Sequence, residues 1–207
     1  MSVAHALTTV ARVKTFLDIP DVSDDAVLDI LVDQATDMIE SFCGRRFVAD
    51  ISGANYANVT EYHDGGCAKN ILNLRRYPIA SIVSISYNTG TNNSPVWTPF
   101  SPAYDYQFNS NTGEVIFGAL LPKGFQNIRV VYTAGYQNKA GSPAPTSAPV
   151  IPSDLESACM MLVSMLYNKR KSIGASAENL GGSTLNWIDG LPEEIRQILF
   201  TYKNLAF

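Results

Sequence analysis

The sequence predicts an α+β protein: a small four-helix bundle formed by both chain ends, with an inserted antiparallel β module. Three observations carry this expectation. Apolar residues recur at helical spacing near both ends, β-branched and aromatic residues alternate through the middle, and a Pro/Ser-rich stretch follows the last alternating run. An amphipathic helix cannot bury its stripe alone, so the four helices are expected to close on one another, with the β module projecting from one end.

Thr8 and Thr9 offer hydroxyl caps to a first helix whose Val10, Val13, Phe16 and Leu17 share a face before Pro20. Ser23, followed by Asp24 and Asp25, opens a second helix, because acids suit the positive end of the helix dipole. Its Val27, Leu28, Leu31, Ala35, Met38, Ile39 and Phe42 keep the i, i+3, i+4 pattern as far as Gly44, a residue fitted to a left-handed terminator.

From Asn58 the period changes to two, as in Ile79, Ile82, Val83, Ile85 and Tyr87. Runs 104–108 and 114–117 flank the turn residues Asn109 to Gly113, which predicts a hairpin. Ile128 to Tyr132 supplies a last strand, and residues 141–149, rich in Pro and Ser, form a stiffened connector. A third helix starts at Pro152 to Asp154 and carries Leu155, Ala158, Cys159, Leu162, Val163 and Leu166. A loop through Gly174, Gly181 and Gly182 follows. Leu191, Pro192, Glu193 and Glu194 open a final helix with Ile195, Ile198, Leu199, Tyr202 and Leu205. The expected division is therefore bundle helices over 1–56, β insert over 57–136, connector over 137–151 and bundle helices over 152–207.

Composition narrows the function classes. With 207 residues, 46% of them hydrophobic and 16% charged, the chain is long and apolar enough to bury a core. The longest apolar runs, such as 159–163, fall far short of the ~20 residues a bilayer span needs, and the first residues do not resemble a secretory signal. Three cysteines, Cys43, Cys67 and Cys159, form no close pair and argue for reduced thiols. A net charge of −4 gives no general attraction to DNA.

No arrangement of residues points to catalysis or to a cofactor. His63, Asp64 and Cys67 lie close together, but the second histidine is remote at His5 and no CxxC exists, so a Gly/Asp-rich turn between strands explains them. Cys43 and Cys159 fall on apolar helix faces, as small hydrophobes do. The carboxylate pairs Asp24/Asp25 and Glu193/Glu194 sit in first helical turns. Neither Gly65-Gly66 nor Gly181-Gly182 has the spacing of a phosphate loop. What remains is surface: the basic clusters Arg45-Arg46, Arg75-Arg76 and Lys169-Arg170-Lys171, the last also explained as a solvated helix end. Trp187 beside Leu185 in a Gly-rich loop adds to these, because Trp anchors interfaces, although packing back on the bundle explains it equally well. Leu180, Leu185, Trp187, Leu205 and Phe207 carry more apolar surface than a free loop and tail need, and are the candidate partner-binding residues.

Several stretches together resemble the head-tail connector (adaptor) proteins of tailed bacteriophages, the gp6-like group. They are Leu7 to Leu17, the acidic start Asp24-Asp25, Ile39 to Phe47, Tyr132 to Tyr136, Ile151 to Leu155, Tyr167 to Arg170, and Leu191 to Ile195. The resemblance implies a structural, non-enzymatic protein of the virion, made in the host cytoplasm. It implies a ring, dodecameric in the virion, beneath the portal protein and next to a tail-proximal connector or stopper, and forming part of the DNA channel. DNA would pass without sequence-specific contact, with Lys169, Arg170 and Lys171 as candidate channel-facing charge; no membrane, metal or cofactor is implied. The alternative is a binding module whose β insert recognises a sugar or protein. A hydrolase using His63 has the least support.

Overall fold

The structure is a computed structural model; it describes residues 5–52, 55–66, 70–91, 94–101, 105–137, 149–170, 177–180, 183–186 and 191–203. The β hairpin strands within 51–56 and 177–186 are described by their backbone. The chain divides into two compact units, one containing residues 1–45 and 151–205, the other residues 46–137.

The first unit is helical. Helix α1 (Val10–Leu17) is capped by Thr9, whose hydroxyl accepts the Arg12 N–H, and is ended by Asp18 in the left-handed region at φ 55°. Helix α2 (Asp25–Cys43) stops where expected, at Gly44, with φ 66° and its N–H turned back to the Glu40 and Ser41 carbonyls. Its start differs: Ser23 bonds to Asp21, and Asp24 takes the N-cap position without a side-chain cap bond. Helix α3 (Ser153–Lys169) and helix α4 (Glu193–Phe200) each follow a proline at the N-cap, Pro152 and Pro192, and carry acids in the first turn. The core of this unit is Leu7, Val13, Leu28, Val32, Ala35, Ile39 and Cys43, closed by Leu155, Ala158, Cys159, Leu162, Val163, Ile195 and Leu199. Cys43 and Cys159 are thus the packed hydrophobes their helix faces suggest.

The second unit is β. Strands β1 (Ile51–Ser52) and β2 (Asn55–Tyr56) form a small hairpin. A four-stranded antiparallel sheet has the order β3–β9–β5–β6, from β3 (Val59–Gly65), β5 (Ile79–Asn88), β6 (Trp97–Pro99) and β9 (Gly124–Ala134). A three-stranded one has the order β4–β8–β7, from β4 (Ile71–Asn73), β7 (Tyr106–Phe108) and β8 (Glu114–Phe117). The β7–β8 hairpin turns at 109–113 as the sequence predicts, with Gly113 at φ 76°. The two sheets bury one core: Leu72, Val115 and Phe117 from the smaller sheet meet Ile79, Ile85, Ile128, Val130 and Tyr132 from the larger. The register of β5 against β9 shifts at 79–81 and 82–84, irregularities that bend a strand locally.

This architecture overturns the expected fold class. The chain is not a small four-helix bundle with a β insert; among the described residues it has four helices and, beside two small hairpins, seven strands in two antiparallel sheets, and is β-rich. Two of the helices, α1 and α4, have only eight residues, and the β unit holds a core of its own. Helical periodicity marks which residues are apolar, but not how much core each half of the chain will build.

His63 is also placed differently. It lies in strand β3, not in a turn, and its neighbour Gly65 is demanded by packing: a Cβ there would sit 2.1 Å from the Pro122 carbonyl oxygen. The expected loop after α3 contains a hairpin, β10 (Ala177–Leu180) with β11 (Ser183–Asn186), in the register Ala177↔Asn186 to Leu180↔Ser183. Most of the Pro/Ser connector, 138–148, lies outside the described residues.

Candidate functional site

Buried and half-buried polar clasps set the surfaces of each unit. In the helical unit Glu156 is 1% exposed, and its carboxylate accepts from Arg12 Nε at 2.5 Å and from the Thr8 hydroxyl at 3.3 Å. That holds the entry to α1 on α3. At the other end of α3, Tyr167 and Arg170 both donate to Asp24, and Arg170 also donates to the Tyr167 carbonyl while stacking 3.6 Å over its ring. Lys14 binds Asp25 at 2.7 Å, and Arg196 binds Glu193 at 3.2 Å. The carboxylate pairs at the helix starts therefore include members tied to cations of the same unit.

In the β unit Glu61 gathers three donors: the Tyr132 hydroxyl at 2.6 Å, His63 Nε2 at 3.2 Å and the Arg75 N–H at 3.3 Å. The Arg76 N–H in turn donates to the Tyr132 oxygen at 3.2 Å, and its guanidinium binds Asp50. Burial acts to raise the Glu61 carboxyl, but the hydrogen bonds from His63, Tyr132 and Arg75 outweigh it and hold the group below the usual range. Burial, reinforced by the Glu61 carboxylate, pushes the Tyr132 phenol far up. Chemically this is a locked network joining β3, β9 and the segment at 75–76, with Glu61 ionised and Tyr132 neutral.

The residues singled out for partner binding are distributed as follows. Leu180 ends β10 and Leu185 lies in β11, so both belong to one hairpin. Trp187, Leu205, Phe207 and Lys171 lie outside the described residues. Of the basic cluster, Arg170 is committed to Asp24 and Tyr167, and Lys169 closes α3. Cys67 also lies outside the described residues.

Sequence patterns did not reveal two other surfaces. On the larger sheet, Arg129 lies 4.6 Å from the Trp97 ring, which lies 5.9 Å from Tyr62, itself 49% exposed. The cross-strand pairing Tyr62↔Arg129 sets two of the three side by side, and Trp97 joins them from β6, where it pairs with Asn88 of β5. In the helical unit an open groove of about 300 Å³ is lined by Phe16, Met161, Met165, Pro192 and Ile195. Phe16, expected on the buried stripe of α1, is 49% exposed at its rim, and Ile30 is 67% exposed on α2.

Each unit thus holds an apolar core of its own and presents polar clasps and exposed apolar side chains at its surface. The chain matches the head completion protein family over residues 6–205 and belongs to that family. The resemblance to phage head-tail connectors seen in the sequence is thereby supported across nearly the whole chain, and the coarse role is that of a structural virion protein. No curated protein is significantly similar. Among solved structures, a chain in the neck of an empty gene transfer agent particle computed with C6 symmetry is 15% identical with a TM-score of 0.59, covering 100% of this chain and 94% of that one. A chain in the neck of the native particle computed with C12 symmetry is 15% identical with a TM-score of 0.57, covering 96% and 89%. A chain in the virion of the native gene transfer agent particle is likewise 15% identical with a TM-score of 0.59, covering 100% and 94%. At this identity the likeness is one of fold.

Proposed function

We propose that the chain is a head-tail connector subunit that closes into a ring, dodecameric in the virion, under the portal and above a tail-proximal connector, and that the ring forms part of the DNA path. The observation that carries this is family membership over residues 6–205, joined to a fold shared with chains of particle necks computed with C6 and C12 symmetry. A closed ring needs two different patches on each protomer that are complementary to one another, and the exposed apolar residues of both units supply surface for them. Leu180, Leu185, Trp187, Leu205 and Phe207 are the proposed docking residues. Lys169, Arg170 and Lys171 are the proposed channel charge, with Arg170 held in place by Asp24. A net charge of −4 suits a conduit, since tight phosphate binding would retain the genome.

The decisive experiment is negative-stain microscopy of the purified protein, alone and mixed with its portal protein. Twelve-fold rings seated on portal are expected; a protein that stays monomeric on portal at all concentrations contradicts the assignment. A second reading, a β unit that recognises a sugar or a protein, is favoured by the Tyr62–Trp97–Arg129 cluster. Ring formation that survives Trp97→Ala while attachment to a host-surface glycan is lost would select it.

A further inference from the structure

We propose that His5, Asp37 and Glu40 form a binding site for one divalent transition-metal ion of the zinc class, a site that the connector role neither requires nor implies. His5 Nε2 lies 3.4 Å from Asp37 Oδ1 and 3.9 Å from Glu40 Oε2, and the three ligand atoms all fall within 4.8 Å of one another. Ligand atoms 2.0–2.2 Å from a tetrahedral zinc lie roughly 3.3–3.6 Å apart, so small side-chain adjustments bring all three onto one ion. The helix supplies the spacing: Asp37 and Glu40 are at i and i+3 on α2, which places both on one face. The segment before α1 supplies the third ligand, and its course is fixed independently, because Ala6 and Leu7 are buried and the Leu7 N–H donates to Thr36 Oγ1 at 3.2 Å.

An ion here would be met by one imidazole and two carboxylates. The donor set selects the ion: an imidazole nitrogen with two carboxylates suits zinc and its first-row neighbours, whereas magnesium and calcium prefer oxygen alone. The His5 and Glu40 side chains are 14% and 9% exposed and Asp37 is 71% exposed, so the site is walled on one side and open to water on the other. A bound ion would pin the first residues of the chain onto α2. Among the described residues no other group of three such donors occurs.

The test is calorimetric titration of the full-length chain with zinc chloride in a non-chelating buffer, with magnesium chloride as comparator. One zinc per chain is expected, weakened at least tenfold by His5→Ala and by Asp37→Asn, with little heat from magnesium. Zinc should raise the melting temperature of the parent protein and leave that of His5→Ala unchanged. His63→Ala, which removes the other histidine, should bind as the parent does. Circular dichroism of Asp37→Asn, a change at an exposed position, guards against a misfolded variant. Absence of saturable zinc binding overturns the proposal, as does binding unaffected by both site substitutions, binding lost in His63→Ala, or magnesium binding as tight as zinc.

Discussion

Tyr132 is fully buried, yet its hydroxyl both donates to Glu61 and accepts from the Arg76 N–H, so truncation leaves two partners unsatisfied. Tyr132→Phe should cost about 1–3 kcal/mol in urea unfolding. Glu61 makes that network pH-dependent. Its folded-state carboxyl lies below the unfolded value of 4.5, so its stabilisation is complete above that pH and is lost as pH falls through the folded value. Unfolding free energy should decline below pH 4.5, and Glu61→Gln should flatten that decline; an unchanged acid limb would remove Glu61 from the account. Because His63 donates to the same carboxylate from within a strand, His63→Ala should cost about 0.5–1.5 kcal/mol. A turn residue would have been indifferent to that change. Burial pushes the Cys43 and Cys159 thiols up to about 11 and about 12. Neither should react with a disulfide reagent at pH 8 until the protein is unfolded, when both should be titrated.

At the scale of elements, the caps were legible and the faces were less so. Gly44 ends α2 in the left-handed region because a residue without Cβ adopts φ 66° freely, and no atom lies within 4 Å of where a Cβ would stand. Gly44→Ala should therefore cost about 1 kcal/mol through backbone conformation alone, read as a drop in melting temperature with unchanged helical content. The stripe of α1 shows the opposite case. Val13 is buried while Phe16 on the same predicted face is half exposed, since an eight-residue helix meets its neighbours along only part of its length. The hairpin β10–β11 went unread as well: Ala177–Leu180 and Ser183–Asn186 have neither a sustained period of two nor a β-branched run, so only pairing reveals them.

For the whole molecule, assembly is the property to measure. Trp187→Ala should weaken ring or portal association by about 2 kcal/mol, roughly thirtyfold, while leaving the helical spectrum and melting temperature nearly intact. A strong fall in melting temperature with unchanged association would assign Trp187 to the protomer instead. The division near residues 45 and 137 leads to a second expectation. Replacing 46–137 by a short linker should leave a helical protein, because Val13, Leu28, Ile39, Leu155, Leu162 and Leu199 form a core drawn from the chain ends. Loss of the far-ultraviolet helical signal in that variant would mean that neither unit stands without the other.

By itself the sequence determined the four helical segments, the Thr9 cap and the Gly44 stop, that the middle is β, that Cys43 and Cys159 are packed, and the family resemblance, because caps, periodicity and breakers act within a few residues of chain. Tertiary structure alone decided the rest. The fold proved β-rich, with two sheets sharing a core, because Leu72 and Ile128 meet only after chain reversal. Likewise Glu61 finds Tyr132 across 71 residues, Thr8 finds Glu156 across 148, and His5 finds Asp37 across 32. Hydrogen bonds and ligand distances reach only a few ångströms in space, and a local pattern along the chain carries no record of which distant residue will come within that reach.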